Sequence, residues 1–247
     1  METPAHITQA CTLSLVVPCY NEASTLATCI ERTLELNSEK LHLQILIVDD
    51  GSSDGSLEIA RRLEALHPEI KVLQHKANSG KGAALRTGFA NATGDFVGIQ
   101  DADLEYDPLE YRELLQPLLR DEVDVVFGSR YLRPQTHRTL YFWHTWMNKA
   151  LTFISNMMTD LNISDMETCH KLFRRDVIQS MDLQEDRFGI EPEMVAKIAL
   201  KRCRVWECAI AYQPRSYKEG KKIGWKDGLR ALYCIFRYSA NTVQPLT

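Results

Sequence analysis

The sequence predicts an α/β fold: a doubly wound, mostly parallel sheet of Rossmann-like type with helices on both faces. Three observations carry this. Strand-length apolar runs alternate with helical stretches over the first 130 residues, joined by short links. One run, LQILIVDD, is apolar on both faces, as in a strand sandwiched between helices. The odd polar motifs YNE, DDGSSDG, NSGKG, DADLEYD and GSR each stand just after a strand-like run, where ligands gather in such sheets.

In order, residues 13–17 (LSLVV) read as a strand that Pro18 should end. A helix is expected near 24–35, with Leu26, Ile30 and Leu34 on one stripe. LQILIVDD is the second strand, and GSSDGS turns into a helix near 55–66 carrying Leu57, Ile59, Leu63 and Leu66. Ile70 to Gln74 is a short third strand, and NSGKGAALRTGFANA is glycine-rich and then helical. Asp95 to Ile99 is the fourth strand. Pro108 starts a helix over 108–120, as proline does at a first helical position. VDVVFGSR is the fifth strand. Beyond residue 130, YLRPQTHRTLYFW reads as a loop with aromatics and 145–160 as a helix. ISDMETCHKLFRRDVI is mixed. Phe188 to Leu200 is a helix, RVWECAIAYQPR a strand, and GKKIGWKDGLRALYCIFRYS a basic turn and a last helix. No repeat or linker divides the chain.

Composition narrows the function. At 247 residues, 45% hydrophobic and 25% charged, the chain suits one large α/β domain or one with an appendage. A net charge of −4 gives no bulk case for nucleic acid. Seven scattered cysteines, odd in number and without zinc spacing, point to reduced thiols in a cytosolic compartment. No apolar run approaches the length of a membrane span, and METPAHITQA lacks the pattern of a signal peptide.

Asp101 and Asp103 are two residues apart in a tight turn that can aim both at one point. They can hold Mg2+ or Mn2+ that completes its shell with substrate phosphates, or form a solvated turn. Asp49 and Asp50 end the second strand and can accept from a base or sugar ring, while Ser53 or Asp54 can cap the next helix. Lys81 in NSGKG can reach phosphate, although the segment is not a P-loop and no GxGxxG is present. His75, His137, His144 and His170 are too scattered for metal ligation, and Cys169 has no histidine partner to make it a nucleophile.

SLVVPCYNEASTL, ILIVDDGSSDGS, HKANSGKGAALRTGF, GDFVGIQDADLEYDP and VVFGSRY occur in the order known for family 2 glycosyltransferases, which have the GT-A fold. The chain resembles most closely the dolichyl-phosphate mannose synthase and polyprenyl-phosphate glycosyltransferase branch, and SDMETCHKLFRRD extends the likeness beyond the GSR strand. The resemblance implies inverting, metal-dependent transfer of a hexose from a GDP- or UDP-linked sugar to a polyprenyl phosphate at the cytosolic membrane face. The alternative acceptor is a hydroxyl on a glycan, protein or small molecule. It further implies one domain over 1–247, with 10–130 binding nucleotide sugar and metal and 131–247 facing the acceptor.

Residue by residue, the resemblance places Pro18, Tyr20 and Glu22 in the first nucleotide-binding loop. Asp50, ahead of Asp49, meets the nucleobase, and Lys81 lies near the nucleotide. Asp101 and Asp103 hold the metal, Asp103 more directly. Arg130 approaches the acceptor or diphosphate. Asp165 lies near the reacting centre as a base, an orienting group or merely a helix cap. Gln100 departs from the acidic or apolar residue common at its position. Glu105 approaches the sugar or faces water, and Asp107 before Pro108 caps a helix. Arg215, Lys218, Lys221 and Lys222 form a basic loop that meets lipid phosphate or donor diphosphate, or is simply solvated, with Arg202 and Arg204 adding to the same face. Trp143, Trp146 and Trp225 are either core anchors or surface for an acceptor, a peripheral membrane contact or a membrane partner protein.

Overall fold

The computed structural model describes residues 7, 9–132, 141–214 and 225–239. In chain order its elements are β1 (Cys11–Cys19), α1 (Leu26–Leu34), β2 (Leu41–Asp49), α2 (Ser56–Leu66), β3 (Ile70–Gln74), α3 (Lys81–Asn91) and β4 (Phe96–Ile99). A 3-10 turn (Pro108–Glu110) leads into α4 (Tyr111–Leu119), followed by β5 (Val125–Ser129), α5 (Phe142–Thr159), β6 (Lys171–Arg174), α6 (Arg175–Gln179), α7 (Ile190–Leu200), β7 (Val205–Ala209) and α8 (Trp225–Ser239).

The strands form one sheet in the order β3-β2-β1-β4-β6-β5-β7. All pairings are parallel except those of β6, which runs against β4 and β5. The sheet grows from β1 towards β2 and β3, then restarts on the other side with β4. That reversal opens a crevice at the carboxyl ends of β1 and β4, the usual ligand position in open α/β sheets. Because β6 is antiparallel, the loop that precedes it arrives at this same edge.

Side-chain alternation divides the core. Leu13, Leu15 and Val17 of β1 join Ile45 and Ile47 of β2 in a cluster with Leu26, Ile30, Ala60 and Leu114, so α1, α2 and α4 cover that face. Val16, Leu46, Val48, Val97 and Phe127 point the other way, onto Leu85, Phe89, Leu151, Val195 and Ile235 of α3, α5, α7 and α8. Helix α3 lies very close to the sheet: a Cβ on Gly88 would sit 2.2 Å from Val16 Cγ1.

Three expectations change in detail. β1 does not stop at Pro18 but continues to Cys19, paired with β2 throughout. Val16 O accepts from Gln100 N, so the backbone of Val16, and of Pro18 two residues on, faces the β4 side. β4 has ended by then, and the missing N–H of Pro18 costs no ladder bond. The expected helix over 108–120 divides into the 3-10 turn and α4, with Asp107 accepting from Leu109 N at its start. Helix α5 begins at Phe142, and Trp143 and Trp146 are 75% and 56% exposed. These two tryptophans are therefore surface rather than core. No helix among the described residues is long and apolar enough to cross a membrane.

Candidate active site

The first two strand-end loops are laced together. Asn21 adopts a left-handed backbone (φ 54), a conformation asparagine tolerates. Its Oδ1 accepts from Ser53 N at 2.8 Å, and its own N–H donates to Ser52 Oγ. Glu22 N donates to Ser56 Oγ, and Ala23 N to Asp54 Oδ2. Asp54 also accepts from Ser56 N and Oγ at the start of α2. The serines of GSSDGS thus fix the YNE loop beside β2. Tyr20 is exposed and Glu22 is buried, its Oε2 accepting from Thr25 Oγ1.

The two aspartates that end β2 differ sharply. Asp50 Oδ1 accepts from Ser79 N and is 2.7 Å from His75 Nδ1, while Oδ2 accepts from Gly80 N. Gly80 has φ 102, and a Cβ there would meet Asp186 O at 2.3 Å, so only glycine brings this N–H to Asp50. Both Asp50 oxygens therefore hold the NSGKG loop. Asp49 accepts only a long bond from Ser52 N, and its Oδ1 is buried with no partner.

Lys81 opens α3. Its Nζ lies 2.7 Å from Asp101 Oδ1 and 2.8 Å from Oδ2, and it donates to Cys169 Sγ at 2.9 Å. Burial opposes both charges, yet their attraction prevails: the Lys81 pKa stands well above its ordinary value and that of Asp101 is lowered. Burial pushes the Cys169 thiol well up, which removes it further from nucleophilic use. Gln100 is buried and its Nε2 donates to Asp101 O and Tyr106 O, shaping the turn that follows β4. Asp103 Oδ1 accepts from Glu105 N across Leu104, whose φ of 61 is a strained value for leucine. Glu105 Oε2 accepts from Tyr212 Oη at 2.8 Å, so Glu105 ties the acidic loop to the segment after β7. Asp107, besides its cap, pairs with Arg32.

The ends of β5 and the loop before β6 supply a second group. Arg130 grips Asp165 through Nε and Nη2, each at 2.7 Å, and Arg130 N adds a third bond. Asp165 is fully buried, and the guanidinium also lies 5.1 Å from the Tyr212 ring centroid. Ser164 is held by Glu207 and by Ser129. Lys171, the first residue of β6, is fully buried with its Nζ on Glu191, Met166 O and Thr168 O. Glu167 is near enough to both pairs to feel Glu191, Lys171, Arg130 and Asp165. His170 is buried, packed between Tyr106 and Tyr111 with ring centroids 5.4 and 4.3 Å away, and neither nitrogen has a hydrogen-bond partner.

Pro18, Tyr20, Glu22, Asp49, Asp50, Lys81, Asp101, Asp103, Arg130 and Asp165 thus all come to the carboxyl edge of the sheet. Arg202 and Arg204 do not. They precede β7, at its opposite end, where Arg204 pairs with Asp124 and Asp121. A parallel strand carries its leading residues away from the edge that its trailing residues reach. Arg215, Lys218, Lys221 and Lys222 lie outside the described residues, as does the side chain of Trp225. Sequence reasoning missed Tyr106, Glu167, Lys171, Glu191, Glu207 and Tyr212. The buried charges among them were signalled only by acids and lysines interrupting apolar runs, as in CHKLF and GIEPEM.

Residues 14–181 match the profile of Glycosyl transferase family 2. The chain belongs to that family. This family 2 chain is 26% identical over 217 residues to a dodecaprenyl-phosphate galacturonate synthase of Rhizobium johnstonii, covering 86% of this chain and 62% of the relative. It is 26% identical over 230 residues to a dolichol-phosphate mannosyltransferase of Pyrococcus furiosus, covering 92% and 64%. A 113-residue stretch is 37% identical to the uncharacterized glycosyltransferase YibD of Escherichia coli, covering 46% of this chain and 32% of that protein. The chain therefore spans less than two thirds of the length of each of these relatives. Its fold is shared with glucosyl-3-phosphoglycerate synthase from Mycobacterium tuberculosis in complex with Mn2+, UDP and glucosyl-3-phosphoglycerate. The TM-score is 0.71 at 18% identity, over 93% of this chain and 80% of that one.

Proposed function

We propose that this family 2 chain transfers a hexose from a UDP- or GDP-linked sugar to an acceptor, with residues 10–130 holding the donor and 131–247 facing the acceptor. The observation that carries this is the convergence of the β1, β2, β4 and β5 end loops on the crevice at the strand-order reversal. Asp49, with a buried oxygen awaiting a donor, is better suited than Asp50 to accept from a nucleobase N–H. Asp50 instead sets the loop that places Lys81. At the first position of α3, Lys81 joins a helix N-terminus, which also favours a diphosphate.

The donor set fits a divalent cation that binds together with the nucleotide. Among the described residues no three metal-type side chains gather into a preformed cage. Two carboxylates at a strand end are what Mg2+ needs when substrate phosphates complete its shell, and Asp101 already holds a cation in the Lys81 ammonium. Asp103, with Asp101, would hold Mg2+ or Mn2+, which when bound offsets charge on the leaving diphosphate. Lys81 adds a second positive charge where water is scarce. Arg130, locked by Asp165, points a fixed guanidinium towards the acceptor side. The acceptor oxygen displaces the diphosphate at the sugar's C1 in one step, inverting that carbon.

For the acceptor, a hydroxyl on a small molecule or glycan is favoured by the acidic surroundings of Arg130, which offer a carboxylate to receive its proton. The neighbouring fold from Mycobacterium tuberculosis was captured with phosphoglyceric acid. A polyprenyl phosphate at the cytosolic face of a membrane is the second reading. It is supported by the relatives named for such lipids and by the aromatic exposed side of α5, where Phe142, Trp143, Trp146 and Phe153 all face outward.

A panel of UDP- and GDP-sugars with Mn2+ or Mg2+, scored for released nucleotide and for the anomeric configuration of the product, tests the reading. No turnover and no metal-dependent nucleotide binding would overturn it. Vesicles carrying polyprenyl phosphate in one arm and soluble hydroxyl acceptors in the other separate the two acceptor classes.

A further inference from the structure

Beneath the crevice lies a network of four acids and three bases. Asp101 pairs with Lys81, Glu191 with Lys171, and Asp165 with Arg130. Each cation thus has its own carboxylate, and Glu167 is the acid left over. Its Oε1 is buried and accepts no hydrogen bond among the described residues, while the residue as a whole is only half-buried. Burial and the Glu191 carboxylate push Glu167 up to about 7, with Asp165 adding to the rise and Lys171 and Arg130 opposing it. The groups that act on it come from the end of β5 (Arg130 and the adjacent Tyr131), its own loop and β6 (Asp165, Lys171), and α7 (Glu191).

We propose that Glu167 is the general base of the transfer, taking the proton of an acceptor hydroxyl, or of water, as that oxygen attacks the sugar. The inference rests on the glycosyl-transfer reading. The hydroxyl oxygen supplies a lone pair to C1. The C1–O bond to the diphosphate breaks, with its electron pair going to the β-phosphate oxygen. The O–H pair stays on the attacking oxygen, and the proton passes to the Glu167 carboxylate. The alternatives are engaged elsewhere. Both Asp165 oxygens are held by Arg130, so Asp165 is a positioning residue for the guanidinium. Glu191 is buried, with Oε2 on Lys171 and Oε1 sealed from solvent, and Asp101 is bound to Lys81. A base whose pKa lies near the working pH combines availability with driving force. A lipid phosphate, already ionised, would need no such group.

The test uses the full chain with Mn2+ and UDP-glucose or GDP-mannose, with water as the acceptor. Wild-type hydrolysis should rise with pH to a plateau, with a midpoint near the ionisation of Glu167 at about 7. Glu167→Gln should lower kcat about 100-fold or more, lose that acid limb, and leave nucleotide affinity within about twofold, since a base acts in the transition state rather than in donor binding. A wild-type profile without an acid limb overturns the inference whether or not the variant folds. So does Glu167→Gln hydrolysing at the wild-type rate. If the wild type turns over no nucleotide sugar, the transfer reading falls and this inference with it. Hydrolysis that survives the substitution overturns the inference alone.

Discussion

Arg130 and Asp165 make a bidentate pair in which one partner is fully buried. Such a pair contributes little net stability when intact, but breaking it strands a charge, at about 3–5 kcal/mol. Asp165→Asn should therefore lower the free energy of unfolding by an amount in that range and reduce transfer while sparing donor affinity. Urea unfolding and a donor titration measure the two effects, and a variant of wild-type stability would contradict the pairing. His170 makes a separate prediction. Burial lowers its pKa from 6.5 to about 4. Above pH 6.5 the imidazole is neutral folded or unfolded, so it adds no pH dependence. Between 6.5 and 4 the unfolded chain takes a proton that the folded chain refuses, so stability falls as pH falls, by about 3 kcal/mol in all. Glu167 and Glu110, both raised to about 7, act with opposite sign, losing stability as pH rises from their ordinary value of 4.5. The His170 contribution is therefore read as a difference: His170→Phe, which keeps the stack on Tyr106 and Tyr111, should lose less stability than the wild type between pH 6.5 and 4.

At the scale of the element, α3 depends on Gly88. Alanine is normally the better helix former by about 1 kcal/mol, but here its Cβ would overlap Val16 of β1 at 2.2 Å. Overpacking of this kind costs about 1–3 kcal/mol, so Gly88→Ala should destabilise on balance in urea unfolding, and adding Val16→Ala should recover much of the loss. A single variant more stable than the wild type would show that α3 stands further from the sheet. The β-α units of the first half were legible because their apolar runs are unbroken and their polar motifs stand at strand ends. β6 was not: it is the four-residue stretch KLFR, and the buried Lys171 disguises its inward face. Helix α5 was placed late because its first turns are aromatic and exposed, without the stripe that marks a packed helix. The resemblance puts Asp50 ahead of Asp49 at the nucleobase, whereas in the structure the return of Ser79 and Gly80 from a distant loop occupies both Asp50 oxygens.

Over the whole molecule, the topology brings donor, cation and acceptor groups to one edge. The parallel strands deliver their end loops there, and the antiparallel β6 delivers the loop carrying Asp165 and Glu167 to the same place. The order of motifs foretold the first set and the resemblance named Asp165, while Glu167 needed the direction of β6. The two acids that prompted the metal reading lie at the centre of this arrangement, one paired with Lys81 and one in the strained turn at Leu104. The most direct measurement is Mn2+-dependent release of nucleotide from a UDP- or GDP-sugar panel by the wild type and by Asp103→Ala. Turnover should require the cation and fall about 100-fold or more in the variant, as the loss of transition-state charge stabilisation entails. Turnover indifferent to both the cation and Asp103 would contradict the metal reading.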